Sequence, residues 1–111
     1  MGEHSARTCG LPGIDELDEL RRALGPEAWA RCSDVAQVVA CYLSAHPRVA
    51  LVRYPGLRTD PLYQRASCVL ERGFGPLVAW RDPSGVWRLF DSRRFAGPRE
   101  AVGALEVELA R

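Results

Sequence analysis

The chain has 111 residues, 47% of them hydrophobic, 26% charged and 8% aromatic, with a formal net charge of +1 at pH 7. This is the composition of one globular domain, at a length where a single core becomes comfortable, and it excludes a disordered or low-complexity chain. The near-zero net charge excludes a wholly basic nucleic-acid coat or an acidic tail as the main theme.

No apolar run approaches the roughly 20 residues of a membrane span. The opening MGEHSARTCG has no apolar h-region, so no signal peptide is expected there. Cys9, Cys32, Cys41 and Cys68 are spaced 23, 9 and 27 residues apart, without the close C-x-x-C pair of a zinc site. Reduced thiols in a cytoplasmic setting are therefore expected, with no metal and no cofactor. Every basic residue is Arg, Asn is missing, and Ile14 is the only isoleucine, which is the codon bias of a high-GC bacterial or viral genome.

Residues 1–12 read as a flexible N-terminus and 13–111 as a single α+β domain. From Ile14 the pattern is helical: Leu17, Leu20 and Leu24 share a face, acids load the first turns, Arg21 and Arg22 the last, and Gly25 is a stop. Pro26 suits the first position of a second helix running to about Ala45, with Val35, Val39 and Tyr42 on a wide apolar stripe. Ser33 or Asp34, with Gln37 beyond, also fits an N-cap, which would break that helix near residue 32 and set Cys32 at a helix mouth.

Val49 to Tyr54 reads as a strand, Asp60-Pro61 as the cap and first position of a third helix ending before Gly73. Leu77–Arg81 and Val86–Asp91 flank Asp82-Pro83-Ser84-Gly85, the signature of a type I turn with a bulge. Pairing about that turn puts Val78, Trp80, Val86, Arg88 and Phe90 on one face and Leu77, Ala79, Arg81, Trp87, Leu89 and Asp91 on the other. Both faces carry apolar residues, so the hairpin is expected inside the sheet, with helices over at least one side. Pro98 to Ala110 closes the chain as a helix with Val102, Leu105 and Leu109 on one face. The order α-α-β-α-β-β-α, with a small antiparallel sheet, is an α+β fold.

Charge is uneven. Residues 1–34 carry seven acids and four Arg, whereas residues 48–99 carry ten Arg against four acids. In that basic stretch Arg81, Arg88, Arg93 and Arg94 interleave with Trp80 and Trp87. Such a mixture suits a protein interface or a nucleic-acid surface. It equally suits strands whose arginines point outward while the aromatics fill the core, with Arg88 stacked on Trp80.

Three segments form a sharper pattern: Cys32 leading the apolar run to Leu43, the strand from Pro47 to Val52, and the hairpin from Leu77 to Asp91. Their order resembles the papain-like and transglutaminase-like core, in which a cysteine opens a buried helix and histidine- and aspartate-bearing strands pair behind it. The resemblance implies Cys32 as nucleophile and Asp91 as the acid that orients a histidine. The histidine position falls near Pro76 to Val78, where no residue transfers a proton, and His4 and His46 lie elsewhere in the sequence. The expected function is accordingly a small non-catalytic accessory or regulatory domain that binds another protein or itself as a homodimer. A cysteine hydrolase or transferase using Cys32 and Asp91, and a nucleic-acid-binding module, are the alternatives.

Overall fold

A computed structural model describes residues 10–110. The expected loose N-terminus falls mainly on residues 1–9, so it lies outside the described residues together with His4 and Cys9. Among the described residues the element order is the expected one, four helices and a three-stranded antiparallel sheet in an α+β arrangement.

Helix α1 spans Ile14–Leu24. Its first turn is held by the Gly13 amide, which donates to the Glu16 carboxylate at 2.8 Å, and its last by Asp18, which accepts from Arg21 and Arg22. Gly25 adopts φ 87°, ends α1 and turns the chain directly into α2, Pro26–Ser44. Helix α2 runs unbroken through residue 32, so the Ser33 or Asp34 cap does not form. Nothing between Glu27 and Ser44 is Gly or Pro, and Ser33 is buried with its hydroxyl accepting from the Gly75 amide, 42 residues away. Tertiary bonding overrides the local capping pattern.

Strands β1 (Leu51–Arg53), β2 (Leu77–Arg81) and β3 (Trp87–Asp91) lie in that spatial order. The expected strand of residues 49–54 is shorter at its C-terminal end because the Tyr54 amide donates to the Asp60 carboxylate at 3.0 Å instead of to a neighbouring strand. Asp60 is therefore not the cap of the third helix. That helix, α3, spans Tyr63–Val69 with Leu62 at its N-cap position, and the buried Asp60 carboxylate also accepts from Arg53 at 2.9 Å and from the Leu62 amide at 2.9 Å.

The hairpin has the expected turn: the Asp82 amide donates to Val86 O at 3.0 Å, the Gly85 amide to Asp82 O at 2.9 Å, and Gly85 has φ 96°. Its faces also pair as expected, with Trp80 opposite Arg88, Val78 opposite Phe90 and Arg81 opposite Trp87. The hairpin is not interior, however. Only β2 is flanked on both sides, because after β3 the chain enters a 3₁₀ turn, Ser92–Arg94, and then α4, Pro98–Leu109.

The helices cover one face of the sheet. Val78, Trp80 and Phe90 point into a core shared with Val35, Val39 and Leu43 of α2 and Ala101, Leu105 and Leu109 of α4. A second cluster joins Ile14 and Leu17 of α1, Trp29 of α2, Ala66 of α3 and Leu70. The domain measures 39 × 36 × 22 Å, and its thin dimension is that of one helix layer on one sheet.

The two halves are tied by a buried network. The Tyr54 hydroxyl donates to Gly75 O at 2.8 Å and approaches Ser33 O at 3.4 Å, while Ser33 Oγ takes the Gly75 amide at 3.0 Å. A Cβ at Gly73, where φ is 136°, would collide with the Ser33 side chain. Ser33→Ala leaves the buried Gly75 amide without an acceptor, so it is expected to cost about 1–3 kcal/mol, whereas Tyr54→Phe is expected to cost about 0.5–1.5 kcal/mol. Urea unfolding of the two variants checks both values and their order.

Candidate functional site

The candidate residues sort into three places set by strand alternation. On the helix side, a cleft of about 770 Å³ opens between the hairpin turn, β3 and the last turns of α4. Trp80, only 2% exposed, forms part of its lining, and the Arg88 guanidinium lies over that ring at 5.7 Å from the centroid. This is the stacked pair expected from the sequence. Arg88 is also held between two carboxylates, 3.6 Å from Asp82 Oδ2 and 3.6 Å from Glu108 Oε2.

Those separations are ion-pair distances, not hydrogen bonds. Asp82 Oδ1 is already engaged, accepting from the Ser84 hydroxyl at 2.6 Å and from the Ser84 and Val86 amides. The Ser84 hydroxyl first, then the Val86 amide, outweigh burial and hold the Asp82 carboxyl below its ordinary range, with Arg88 adding its charge. Across the cleft, Arg48 donates to Leu109 O at 2.8 Å, satisfying a carbonyl at the end of α4. An adjoining hollow of about 300 Å³ shares Trp80, Arg88 and Glu108 and reaches Arg94.

The second place is the opposite sheet face, where Arg81 lies over the Trp87 ring at 5.6 Å. Leu51, opposite Arg81, is 43% exposed and Leu89, opposite Ala79, is 49% exposed. Among the described residues, neither hydrophobic cluster draws on a side chain of this face.

The third place joins Cys32 and Asp91. The Ser92 hydroxyl donates to Cys32 O at 2.8 Å, bringing the end of β3 against the second turn of α2. Cys32 is half-buried within that helix and not at its N-terminal mouth, because α2 begins at Pro26. Asp91 is clamped by Arg93, which donates through Nε at 2.9 Å and Nη2 at 2.7 Å. Burial raises the Asp91 carboxyl, but the Arg93 hydrogen bonds and charge overcome it and leave the group below its ordinary range. Arg93 in turn is raised, chiefly by its bond to Asp91 and in smaller part by its proximity to Cys32. His46 lies beyond the far end of α2, accepting from the Arg48 amide at 3.0 Å and edge-on to Tyr42.

Trp80, Arg88 and Arg94 thus meet on the helix side, Arg81 and Trp87 on the open side, and Arg93 with Asp91 beside Cys32. Asp82, Glu108 and Arg48 were not singled out from the sequence. A signal for Asp82 was present: it has the same strand parity as Trp80 and lies diagonal to Arg88 across the hairpin. Among the described residues, no group of three or more His, Cys, Asp and Glu is arranged to hold a metal ion, and no helix is long and apolar enough to cross a membrane.

No protein-family model matches the chain. A stretch of 77 residues, 68% of the chain, is 42% identical to part of the O-acetyl-L-homoserine sulfhydrylase of Leptospira meyeri. The chain spans only 16% of that protein's length.

The depressed carboxyls set the acid response. Asp18, Asp82 and Asp91 all ionise more readily folded than unfolded, so their contribution is complete above the unfolded value of about 3.9 and is lost as pH falls through the lower folded values. The urea midpoint is expected to stay level between about pH 7 and 5 and to drop below about pH 4. Arg93→Gln should shrink that drop, and an unchanged drop would refute the role given to Arg93.

Proposed function

We propose that this domain is a non-catalytic accessory module of an O-acetyl-L-homoserine sulfhydrylase, seated on the enzyme through the open face of its sheet. The observation that carries this reading is the asymmetry of the match, which takes in 68% of this chain but 16% of the sulfhydrylase. Residues 10–110 close two hydrophobic clusters of their own, the behaviour of a domain and not of a slice through a larger core. A self-contained unit aligned within a much longer enzyme points to that enzyme as its working partner. Joining two modules in one chain replaces a bimolecular encounter by an intramolecular one at high effective concentration.

The chemistry of the chain agrees with an accessory role. The open face supplies what an interface needs: the Arg81–Trp87 pair, with exposed Leu51 and Leu89 beside it. Aromatic and Arg anchors ringed by apolar side chains are the residues that carry binding energy.

The test is sedimentation of the chain with the purified sulfhydrylase of the same organism. A complex is expected, weakened at least tenfold by Trp87→Ala or Leu89→Glu and unchanged by Val38→Glu, which lies on exposed helix surface. Independent sedimentation at tens of micromolar overturns the reading, and self-association of the chain alone redirects it to a homodimer.

A second reading, a thiol enzyme using Cys32 and Asp91, is favoured by the Ser92 hydroxyl's bond to the Cys32 backbone carbonyl, which brings residue 32 near the Asp91–Arg93 pair. Alkylation rates by peptide mass spectrometry separate the two. An accessory domain is expected to show half-buried Cys32 reacting more slowly than exposed Cys41 and Cys68. Fast reaction of Cys32 alone at pH 6 would place the thiol-enzyme reading first.

A further inference from the structure

The cleft beside Arg88 has a lining whose charges cancel, and that balance selects its ligand. Arg48 and Arg88 face Asp82 and Glu108 across about 770 Å³, with Val107 as exposed apolar surface. The Arg88 guanidinium is fixed in place by the Trp80 ring and by two carboxylates at 3.6 Å, yet none of its N–H groups makes a hydrogen bond among the described residues. Its five donors form a fork shaped for a carboxylate. Glu108, 43% exposed, likewise keeps its carboxylate oxygens for an incoming donor, whereas Asp82 has only Oδ2 uncommitted.

A simple anion entering here meets Arg88 but also two carboxylates within 4 Å of it. A simple cation meets the carboxylates but also the guanidinium. A ligand carrying both charges a few ångströms apart satisfies both sets without leaving either unpaired. Val107, 61% exposed, lines the same cleft and offers apolar surface for a side chain.

From this geometry we infer that the cleft binds a free α-amino acid. Its carboxylate lies on the Arg88 fork, its ammonium on Glu108 and Asp82 Oδ2, and its side chain on Val107. The inference rests on the accessory reading only in the choice of the first probe, O-acetyl-L-homoserine, which is itself an α-amino acid.

Calorimetry and amide NMR on the chain alone test it, so failure to dock on the sulfhydrylase leaves the measurement untouched. O-acetyl-L-homoserine and L-leucine are titrated, with the N-acetyl and C-amide forms of L-leucine as half-charged controls. Saturable binding is expected for the free amino acids, with shifts at the Trp80 indole N–H and around Ala104 and Glu108. The affinity should fall at least tenfold for Arg88→Gln, for Glu108→Gln and for either blocked ligand, and stay unchanged for Arg65→Gln on the exposed surface of α3. No shifts at 10 mM ligand overturn the inference. So does equal binding of the N-acetyl form, which would define an anion site in place of a zwitterion site.

Discussion

The hydrogen bonds that converge on one buried turn of α2 hold the rest of the structure in register. Ser33 Oγ takes the Gly75 amide, Tyr54 OH donates to Gly75 O beside Ser33 O, and Ser92 Oγ donates to Cys32 O. Three stretches far apart in sequence are thereby pinned to residues 32 and 33: the end of β1, the entry to β2 and the exit from β3. The Ser33, Tyr54 and Gly75 bonds are buried away from water, where an unmade bond is costly, so the turn accepts little variation in geometry. Burial also raises the Tyr54 hydroxyl far above its ordinary value, which keeps it protonated and able to donate at any pH at which the domain is folded.

From that anchor follows the one-sided layering. Helix α2 lies across β1 and β2, and α4 packs on α2, leaving the outer part of β3 without a helix directly over it. The gap over β3 is the cleft. Trp80 seals its base against the core, and Arg88, one strand over, covers the ring. Arg48 closes the far end by donating to the Leu109 carbonyl, the last of α4, so helix termination and cleft shape are settled by the same contact.

The element order, the Gly25 stop, the bulged turn and the strand faces were legible in the sequence because each depends on neighbours a few residues away. Alternation alone placed Arg88 with Trp80, and Arg81 with Trp87 on the reverse side. What local pattern could not supply was the long-range partner. Ser33 and Asp34 look like a helix cap until Gly75 claims the Ser33 hydroxyl from 42 residues away. Asp60-Pro61 looks like a helix start until Tyr54 and Arg53 draw the carboxylate inward. Glu108 is one acid on an exposed helix surface, and only the packing of α4 beside the hairpin makes it the counterpart of Arg88. The place of β3 at the sheet edge was hidden for a related reason: apolar residues on both strand faces read as burial on both sides, yet Leu89 is half exposed.

The proposed ligand cleft and the proposed docking face are the two sides of one strand. Along β3 the residues alternate, Arg88 to the cleft and Trp87 and Leu89 to the open face, so groups that meet different partners are adjacent in the chain. As an edge strand, β3 is hydrogen-bonded along one side only, to β2, and can shift more readily than a strand held on both sides. Drawing Arg88 toward a carboxylate pulls on the same backbone that carries Trp87 beneath Arg81. Contiguity of this kind is not coupling, which also requires a ligand to bind two arrangements of the strand with different affinity. The 3.6 Å pairs around Arg88 are longer than hydrogen bonds, which leaves room for such a difference. By reciprocity, any change in amino-acid affinity caused by docking must appear equally as a change in docking caused by the amino acid.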